Sequence, residues 1–339
     1  MNDRLVTSIA KICRSGLEPD ALRARVLPRL RRAVPVDALW WAIADPTTLL
    51  FTQARREEIP AHTGPYFVDN EFLRDDVNKW TELAHDRAGV RTLMQATGGK
   101  PATSARYRDV FEPLGLEDEM RVVLRVRGVT WGFMCLHRAA GAAFSRDEAA
   151  FVRRIAPHLA DGIRRGLVQQ TECSHTDRGP GVILIAPDGS LVSASPAARA
   201  WLDELSGPTA DGIPLELHAL AERARDTGAS SVHVRTDAGR WVVIDATAMI
   251  GEGPQIVAVM IRQAAPDEAA PIIMRAYGLT ERERMICGLV FRGFPTRAIS
   301  DRLKIAEYTV QDHLKAIFDK TGVRSRGELA ATVLRRRHQ

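Results

Sequence analysis

The sequence predicts a multidomain protein, with two α+β domains followed by an all-α domain of four helices. Two stretches alternate short apolar runs with turn residues, which is typical of strands joined in hairpins, and both also contain helical segments. The final stretch repeats apolar residues at helical spacing only. A chain of 339 residues is long enough for two or three domains with separate cores. We place the domains at residues 1–168, 181–263 and 275–339.

The first domain has the pattern of two N-terminal helices, a hairpin, an irregular helical middle, a second hairpin and a closing helix. The capping box of Ser145 and Glu148 predicts the start of that closing helix, which extends to Leu167. Strands are predicted at residues 38–43, 49–52, 121–126 and 131–136.

A motif near the end of this domain resembles a known sensory fold. The string G-V-T-W-G-F-M-C-L-H-R, followed by F-S-R-D-E, resembles the end of a GAF domain. The resemblance implies a pocket for a small molecule between the sheet and the middle helices. Trp40, Trp41, Phe67 and Trp80 could line it, although aromatic residues are more often ordinary core. Neighbouring residues of a strand face opposite ways, so we select Trp41 with Phe67 and Trp80 as candidate lining residues.

The second domain has two strands, a helical middle and three further strands. Strands are predicted at residues 182–186, 190–193, 232–235, 241–246 and 256–261, and a helix at 196–205. The string G-V-I-L-I-A-P-D-G-S-L-V-S-A-S-P-A-A resembles the start of a PAS domain. Ser195 stands where that family commonly has Asn, so we expect dimerisation or signal relay rather than a cofactor site. Residues 264–271, A-A-P-D-E-A-A-P, have the composition of a hinge.

The third domain has the start and stop signals of four short helices. Thr280 with Glu283, and Ser325 with Glu328, are capping boxes that predict the first and fourth helix starts. A short second helix precedes a third whose Val310, Leu314, Ile317 and Phe318 share one face. Two short helices joined by a tight turn are helix-turn-helix geometry.

The net charge differs between this domain and the rest of the chain. Residues 275–339 contain 14 Lys and Arg against 7 Asp and Glu, whereas the first 274 residues contain 33 against 35. A basic excess confined to one helical domain favours binding to nucleic acid.

The residue pattern of this domain is specific. L-T-x-R-E, then I-x-x-x-L-x-I and T-V-x-x-H-L-x-x-I-F-x-K-x-G-V-x-S-R-x-E-L, closely resemble the DNA-binding domain of LuxR-type transcription regulators. Ala306 replaces a usual Ser before the recognition helix, Gln311 replaces a usual Lys, and Pro295 replaces a capping Ser. We interpret these departures as altered site preference and weaker binding with the fold retained.

The resemblance and the helical pattern together predict the contacts with double-stranded DNA. Gln311, Asp312 and Lys315 are expected to read base edges in the major groove. Phosphate contacts are expected from Thr309, Lys320, Arg324 and Arg326. The apolar face of the last helix is the candidate contact between two copies, and we expect a homodimer on inverted half-sites. That face carries Leu329, Val333 and Leu334.

The remaining sequence excludes several function classes. No P-loop, HExxH, GxSxG or paired-carboxylate motif is present, so we predict no enzymatic activity and no cofactor. Cys173 and His175 make too small a ligand set for a metal site. The four scattered cysteines form no CxxC pair, and there is neither an apolar run of ~18 residues nor a signal peptide. These observations predict a cytoplasmic protein without a membrane partner.

We therefore predict a one-component transcription regulator with a sensory N-terminal half that could bind a small-molecule effector, and RNA polymerase is a conceivable partner. Three alternatives stay open. A phosphorylated response regulator would need an acidic pair after the first strand of a parallel sheet, whereas Asp75 and Asp76 lie in a helical stretch. A sigma-like promoter-recognition subunit would lack the motif after the turn. A sensor adaptor would act through protein contacts, with the helical tail as a dimer module.

Overall fold

In a computed structural model the chain forms two compact units, residues 1–263 and 264–339, and each is described by itself. The structure describes residues 2–139, 141, 143–168, 178–205, 213–236, 238–251 and 255–334. Cys173 and His175 lie outside these ranges. None of the helices within these ranges combines the length and apolar character that crossing a membrane requires.

The described residues in the first half of the first unit form one five-stranded sheet and six α-helices. Its order is α1 (Asn2–Cys13), α2 (Pro19–Ala33), β1 (Ala38–Ala44), β2 (Phe51–Glu57), α3 (Gly64–Phe72), α4 (Trp80–Leu83), β3 (Val90–Thr92), α5 (Leu93–Ala96), β4 (Leu116–Val126), β5 (Val129–Ala139) and α6 (Arg146–Leu167). Two short 3₁₀ turns at Ala61–Thr63 and Pro101–Thr103 and a π-helical turn at Tyr107–Phe111 complete the middle.

The strands of this sheet follow the order β2-β1-β5-β4-β3, and every neighbouring pair is antiparallel. The capping box of Ser145 and Glu148 starts α6 as predicted. This helix packs against β4, β5, α1 and α2, so its apolar stripe covers its own domain. Gly166 is required there because a Cβ atom would lie 2.4 Å from the carbonyl oxygen of Leu17.

The predicted start of the second strand was wrong. Leu49 has a left-handed φ of 62° and closes a turn by donating its N–H to the Asp45 carbonyl at 2.8 Å. The strand therefore begins at Phe51 and continues through polar residues to Glu57. An edge strand can be polar on one face, which hides it from a search for apolar runs.

The second half of the first unit repeats the same strand order. Its elements are β6 (Gly181–Ile185), β7 (Leu191–Ala194), α7 (Pro196–Leu202), α8 (Leu215–Thr227), β8 (Ala229–Arg235), β9 (Trp241–Ala248) and β10 (Val257–Gln263). The order β7-β6-β10-β9-β8 is again antiparallel throughout. Because both sheets among the described residues are antiparallel, neither is the parallel sheet that a response regulator would need.

The two halves of the first unit share a packed boundary. Helix α8 lies on its own sheet and also packs against α3 and β2. Glu216 on α8 accepts the N–H of Ala54 at 2.8 Å, and the side chain of Gln53 donates to the Arg235 carbonyl at 2.8 Å. Hydrogen bonds between buried groups are costly to leave unmade, so these contacts join the two sheets into one unit.

Residues 264–334, the described part of the second unit, form five helices: α9 (Pro266–Ala276), α10 (Glu281–Phe291), α11 (Thr296–Leu303), α12 (Glu307–Thr321) and α13 (Arg326–Val333). The hinge predicted at residues 264–271 was wrong, because Pro266 occupies the first turn of α9 and Glu268 caps it by accepting the Ala265 N–H at 2.7 Å. Ser325 caps α13, but Glu328 accepts from the Arg324 N–H rather than from Ser325, so this capping box is only half formed.

Candidate nucleic-acid interface and internal cavity

A tight turn sets the direction in which α12 leaves α11. Lys304 adopts a left-handed backbone with φ of 52°. The hydroxyl of Ser300 donates to the Ile305 carbonyl at 2.6 Å, and the Ser300 carbonyl accepts the Ile305 N–H at 3.2 Å. Arg282 of α10 donates to the Leu303 carbonyl at 2.8 Å. These bonds satisfy the Ser300 and Leu303 carbonyls at the end of α11 and the Ile305 carbonyl of the turn, and so hold the turn.

The two helices of this motif begin without side-chain caps. Ala306 precedes α12 and Pro295 precedes α11, and neither side chain accepts a hydrogen bond from the helix. The missing caps follow directly from the two replacements seen in the sequence.

Helix α12 has one buried and one exposed face. Val310 and Ile317 are fully buried. Gln311, Asp312 and Lys315 are exposed together on the opposite face. An amide, a carboxylate and an ammonium group can each form hydrogen bonds with base edges. The structure thus places the three predicted base-reading residues side by side.

The predicted phosphate-contacting residues fall into two groups. Lys320 donates to both carboxylate oxygens of Glu283 at 2.7 Å, which ties α12 to α10. Arg326 donates to the Phe294 carbonyl at 3.0 Å and to the Thr296 hydroxyl at 2.7 Å. Their cationic groups are therefore already engaged inside the domain.

The other two predicted phosphate-contacting residues are Arg324 and Thr309. The side chain of Arg324 is exposed and makes no hydrogen bond or ion pair within residues 2–334 where the structure describes them. Thr309 is half-buried on the first turns of α12. Arg324 is the predicted phosphate contact whose charge is fully available.

The predicted dimer face is buried within its own domain. Leu329 and Val333 are 0 % exposed and Leu334 is 6 % exposed. Helix α13, which carries this face, packs against α9 and α12. The sequence predicts a hinge at residues 264–271, where most of α9 lies, and therefore gives no sign that a helix covers this face. The prediction that these residues join two copies was wrong for this reason.

An internal cavity lies in the first unit between the first sheet and helices α3 and α4. About 50 Å³ is open to the centre of a water-sized sphere. Phe67 and Trp80 line it as predicted, together with Trp40 and, from α8, Leu215. Trp41 is fully buried and does not line it, so its selection was wrong. Alternation in β1 allowed only one of the two tryptophans, and the sequence did not determine which.

A buried ion-pair network lies beside this cavity. Glu119 accepts from Arg106 at 2.8 Å and from Arg121 at 3.2 Å, and Arg121 also donates to Glu71 at 2.9 Å. All four side chains are nearly inaccessible to solvent. Burial favours the neutral acid, but the two guanidinium groups outweigh it and lower the pKa of Glu119 to about 2. The network is therefore charged and internally compensated.

Three residues of this region could approach one metal ion. Potential ligand atoms of Glu119, Cys135 and His137 all lie within 4.8 Å of one another. However, both Glu119 oxygens already accept from arginines. Burial also raises the pKa of Cys135 well above its ordinary value, which keeps it a thiol rather than the thiolate that binds metals. We assign no metal to this cluster.

Among the cavity residues that sequence reasoning did not select are Arg56 and His137, and Trp40, which was set aside in favour of Trp41. In the sheet, Arg56 pairs with Trp40, Trp40 with Cys135, and Cys135 with Arg121. These four residues form one row across β2, β1, β5 and β4. Only the strand register brings them together, and no local sequence signal reports that register.

Comparisons with known proteins identify one part of the chain. The family described as "Bacterial regulatory proteins, luxR family" matches residues 278–333. No curated protein matches the chain. The solved structures that are similar to it include the following three. A GAF domain from a phosphoenolpyruvate-protein phosphotransferase of Coxiella burnetii is 18 % identical, over 48 % of this chain and 92 % of that one, with a TM-score of 0.35.

The other two are VqmA, which is described among LuxR-type receptors, and SdiA. The VqmA dimer of Vibrio cholerae is 16 % identical over 46 % of this chain and 82 % of that one, with a TM-score of 0.22. SdiA of Escherichia coli is 12 % identical over 93 % of this chain and 90 % of that one, with a TM-score of 0.30. At such TM-scores none of the three establishes a fold or function for this chain.

Proposed function

Since residues 278–333 are a LuxR-family DNA-binding domain, we propose that the chain is a sequence-specific transcription regulator whose N-terminal unit senses an effector. The observation that carries this proposal is helix α12, held by the α11 turn, with its polar face exposed in a domain of net positive charge. A helix presented in this way fits the major groove of double-stranded DNA.

The base-reading group in this proposal consists of Gln311, Asp312 and Lys315. Gln can form a bidentate pair with adenine, Asp can accept from the amino group of cytosine, and Lys can donate to guanine. All three are exposed on one side of α12, so one insertion into the groove can bring them to adjacent bases.

The phosphate-contacting group in this proposal is Arg324 with the hydroxyl of Thr309. We remove Lys320 and Arg326 from it because each already donates to groups inside the domain. A phosphate contact by Lys320 would require it to leave Glu283, whose carboxylate is only 5 % exposed.

The N-terminal unit is proposed to sense a small molecule in the cavity between its first sheet and α3. Its first half is proposed to be GAF-like and its second half PAS-like. Leu215, at the start of α8, forms part of the cavity wall, so a ligand there would contact both halves. Two copies are proposed to bind inverted half-sites in the cytoplasm and to act on RNA polymerase.

Selection of DNA from a random pool by the full chain tests this function. We expect enrichment of an inverted repeat whose half-site centres lie about 10 bp apart. Sedimentation of the chain with the enriched site should give two copies per duplex. A pool that stays random after repeated selection would contradict the proposal and favour an adaptor that acts through protein contacts.

A further inference from the structure

The cavity of the first unit has a size suited to one small ring. One water molecule needs roughly 10–15 Å³ of space that is open to the centre of a water-sized sphere. The 50 Å³ of the cavity, measured in the same way, therefore holds about four waters. At about 30 Å³ of liquid volume each, four waters occupy roughly the space of a single substituted aromatic ring.

The walls of the cavity favour a planar occupant. The rings of Trp40 and Trp80 are stacked, with centroids 6.1 Å apart and planes inclined by 25°. Phe67 lines another wall. Aromatic side chains bind flat rings through offset stacking and edge contacts, in addition to the hydrophobic gain.

The charges around the cavity disfavour a cation. The guanidinium of Arg121 lies 4.6 Å from the centroid of the Trp80 ring and is paired with Glu71. The face of Trp80 and the carboxylate of Glu71 therefore already contact a cation. Arg56 also lines the cavity, but its side chain is exposed and has no ion pair with any residue that the structure describes. The uncompensated charge at the cavity is thus positive and lies on the edge strand β2.

A polar group at the other side of the cavity lacks a partner. His137, on the central strand β5, is 1 % exposed and lines the cavity. Its Nδ1 atom has no hydrogen-bond partner among the described residues. Burial lowers the pKa of His137 to about 4, so the ring is neutral, with one donor nitrogen and one acceptor nitrogen. A hydroxyl group can complement either nitrogen.

We infer that this cavity binds a small aromatic carboxylate carrying a ring hydroxyl, with the ring packed beside the stacked pair of Trp40 and Trp80 and against Phe67. The carboxylate pairs with Arg56 at the edge of the sheet, and the hydroxyl reaches His137. This inference rests on the proposed sensing function and specifies the chemical class of its effector.

Titration of the full chain with para-hydroxybenzoate, followed by calorimetry and tryptophan fluorescence, tests the inference. The neutral para-hydroxybenzamide and the cation tyramine are the comparison ligands. We expect saturable binding of para-hydroxybenzoate, at least about tenfold tighter than that of either comparison ligand, because only the acid can form a charge-assisted pair with Arg56. Absence of saturable binding, or equal binding of all three, would overturn the inference.

Two variants locate the carboxylate. Arg56→Gln should weaken para-hydroxybenzoate about tenfold and leave para-hydroxybenzamide unchanged. Arg55→Gln is the matched control, because Arg55 directly precedes Arg56 in β2 and pairs with Asp20 at 2.7 Å. Equal effects of the two variants would place the carboxylate elsewhere and overturn the assignment.

A third variant locates the hydroxyl. His137→Phe should bind benzoate and para-hydroxybenzoate equally, whereas the parent chain should prefer the hydroxylated acid. A preference that persists in the variant would refute the role of His137. DNA binding is measured separately on the same protein. A chain that binds DNA but no aromatic acid refutes only this inference, whereas a chain that selects no DNA refutes the proposed function.

Discussion

Replacing Lys320 should change the stability of the C-terminal domain and leave its salt-dependent DNA binding nearly intact. Both Glu283 oxygens accept from Lys320 at 2.7 Å, and Glu283 is 5 % exposed while Lys320 is 31 % exposed. Lys320→Met keeps the aliphatic stem and removes the charge. Loss of a charge-assisted bond to a buried carboxylate should lower the free energy of unfolding by about 1.5–3 kcal/mol. Urea denaturation at pH 7 measures this loss.

The same pair should make stability depend on pH. Burial alone would raise the pKa of Glu283, but donation from Lys320 and from the Thr280 N–H lowers it below its ordinary value of 4.5. The unfolded chain then binds the proton more readily. The contribution is present above pH 4.5 and is lost as pH falls through the lower folded pKa. The stability gap between the parent chain and Lys320→Met should therefore shrink on acidification.

Arg324→Ala provides the opposite case. Its exposed side chain makes no internal ion pair in the described part of the domain, so its removal should change stability by less than about 0.5 kcal/mol. The slope of log affinity against log salt should flatten by about 0.9, the value for one lost phosphate contact. A slope change of that size in Lys320→Met, with unfolding unaltered, would refute the division of these residues into internal and phosphate-binding groups.

Two further predictions concern the free energy of unfolding, measured by urea denaturation. Ala306→Ser should stabilise the C-terminal domain by about 1 kcal/mol, since the backbone before α12 is already extended as a capping residue requires. An unchanged free energy of unfolding would indicate that the serine hydroxyl does not cap the amides of α12. Gly166→Ala should destabilise the first unit by about 1–3 kcal/mol through its clash with Leu17. Gly288→Ala, in α10 where a Cβ meets nothing within 4 Å, should be neutral or stabilising by up to about 1 kcal/mol. Equal effects of the two alanines would contradict the packing argument.

Features set by neighbouring residues could be predicted from the sequence. The capping boxes at Thr280 and Ser145 form as expected because each joins residues only three positions apart. The exposed face of α12 follows from the helical period, which needs no knowledge of the rest of the fold. The six predicted elements of the second domain are present for the same reason, with ends shifted by a few residues.

Features set by distant residues could not be predicted. Whether Leu329 faces a partner or the core depends on α9, which lies more than fifty residues earlier in the chain and contains two prolines. Whether Lys320 is free depends on Glu283, which a helix-by-helix pattern does not bring close. The cavity row from Arg56 to Arg121 depends on the register of four strands. In each case a tertiary contact decides the role of a residue whose local pattern allows two.

The central claim is that α12 reads DNA bases, and the affinity of Lys315→Ala for the selected site and for a scrambled site of equal length tests it most directly. Lys11→Ala, an exposed lysine of α1, is the charge-matched control. We predict that Lys315→Ala loses about 1–3 kcal/mol on the selected site and much less on the scrambled one, while Lys11→Ala binds both as the parent chain does. An equal loss by Lys315→Ala on the two sites, or no loss on either, would contradict base reading by this helix.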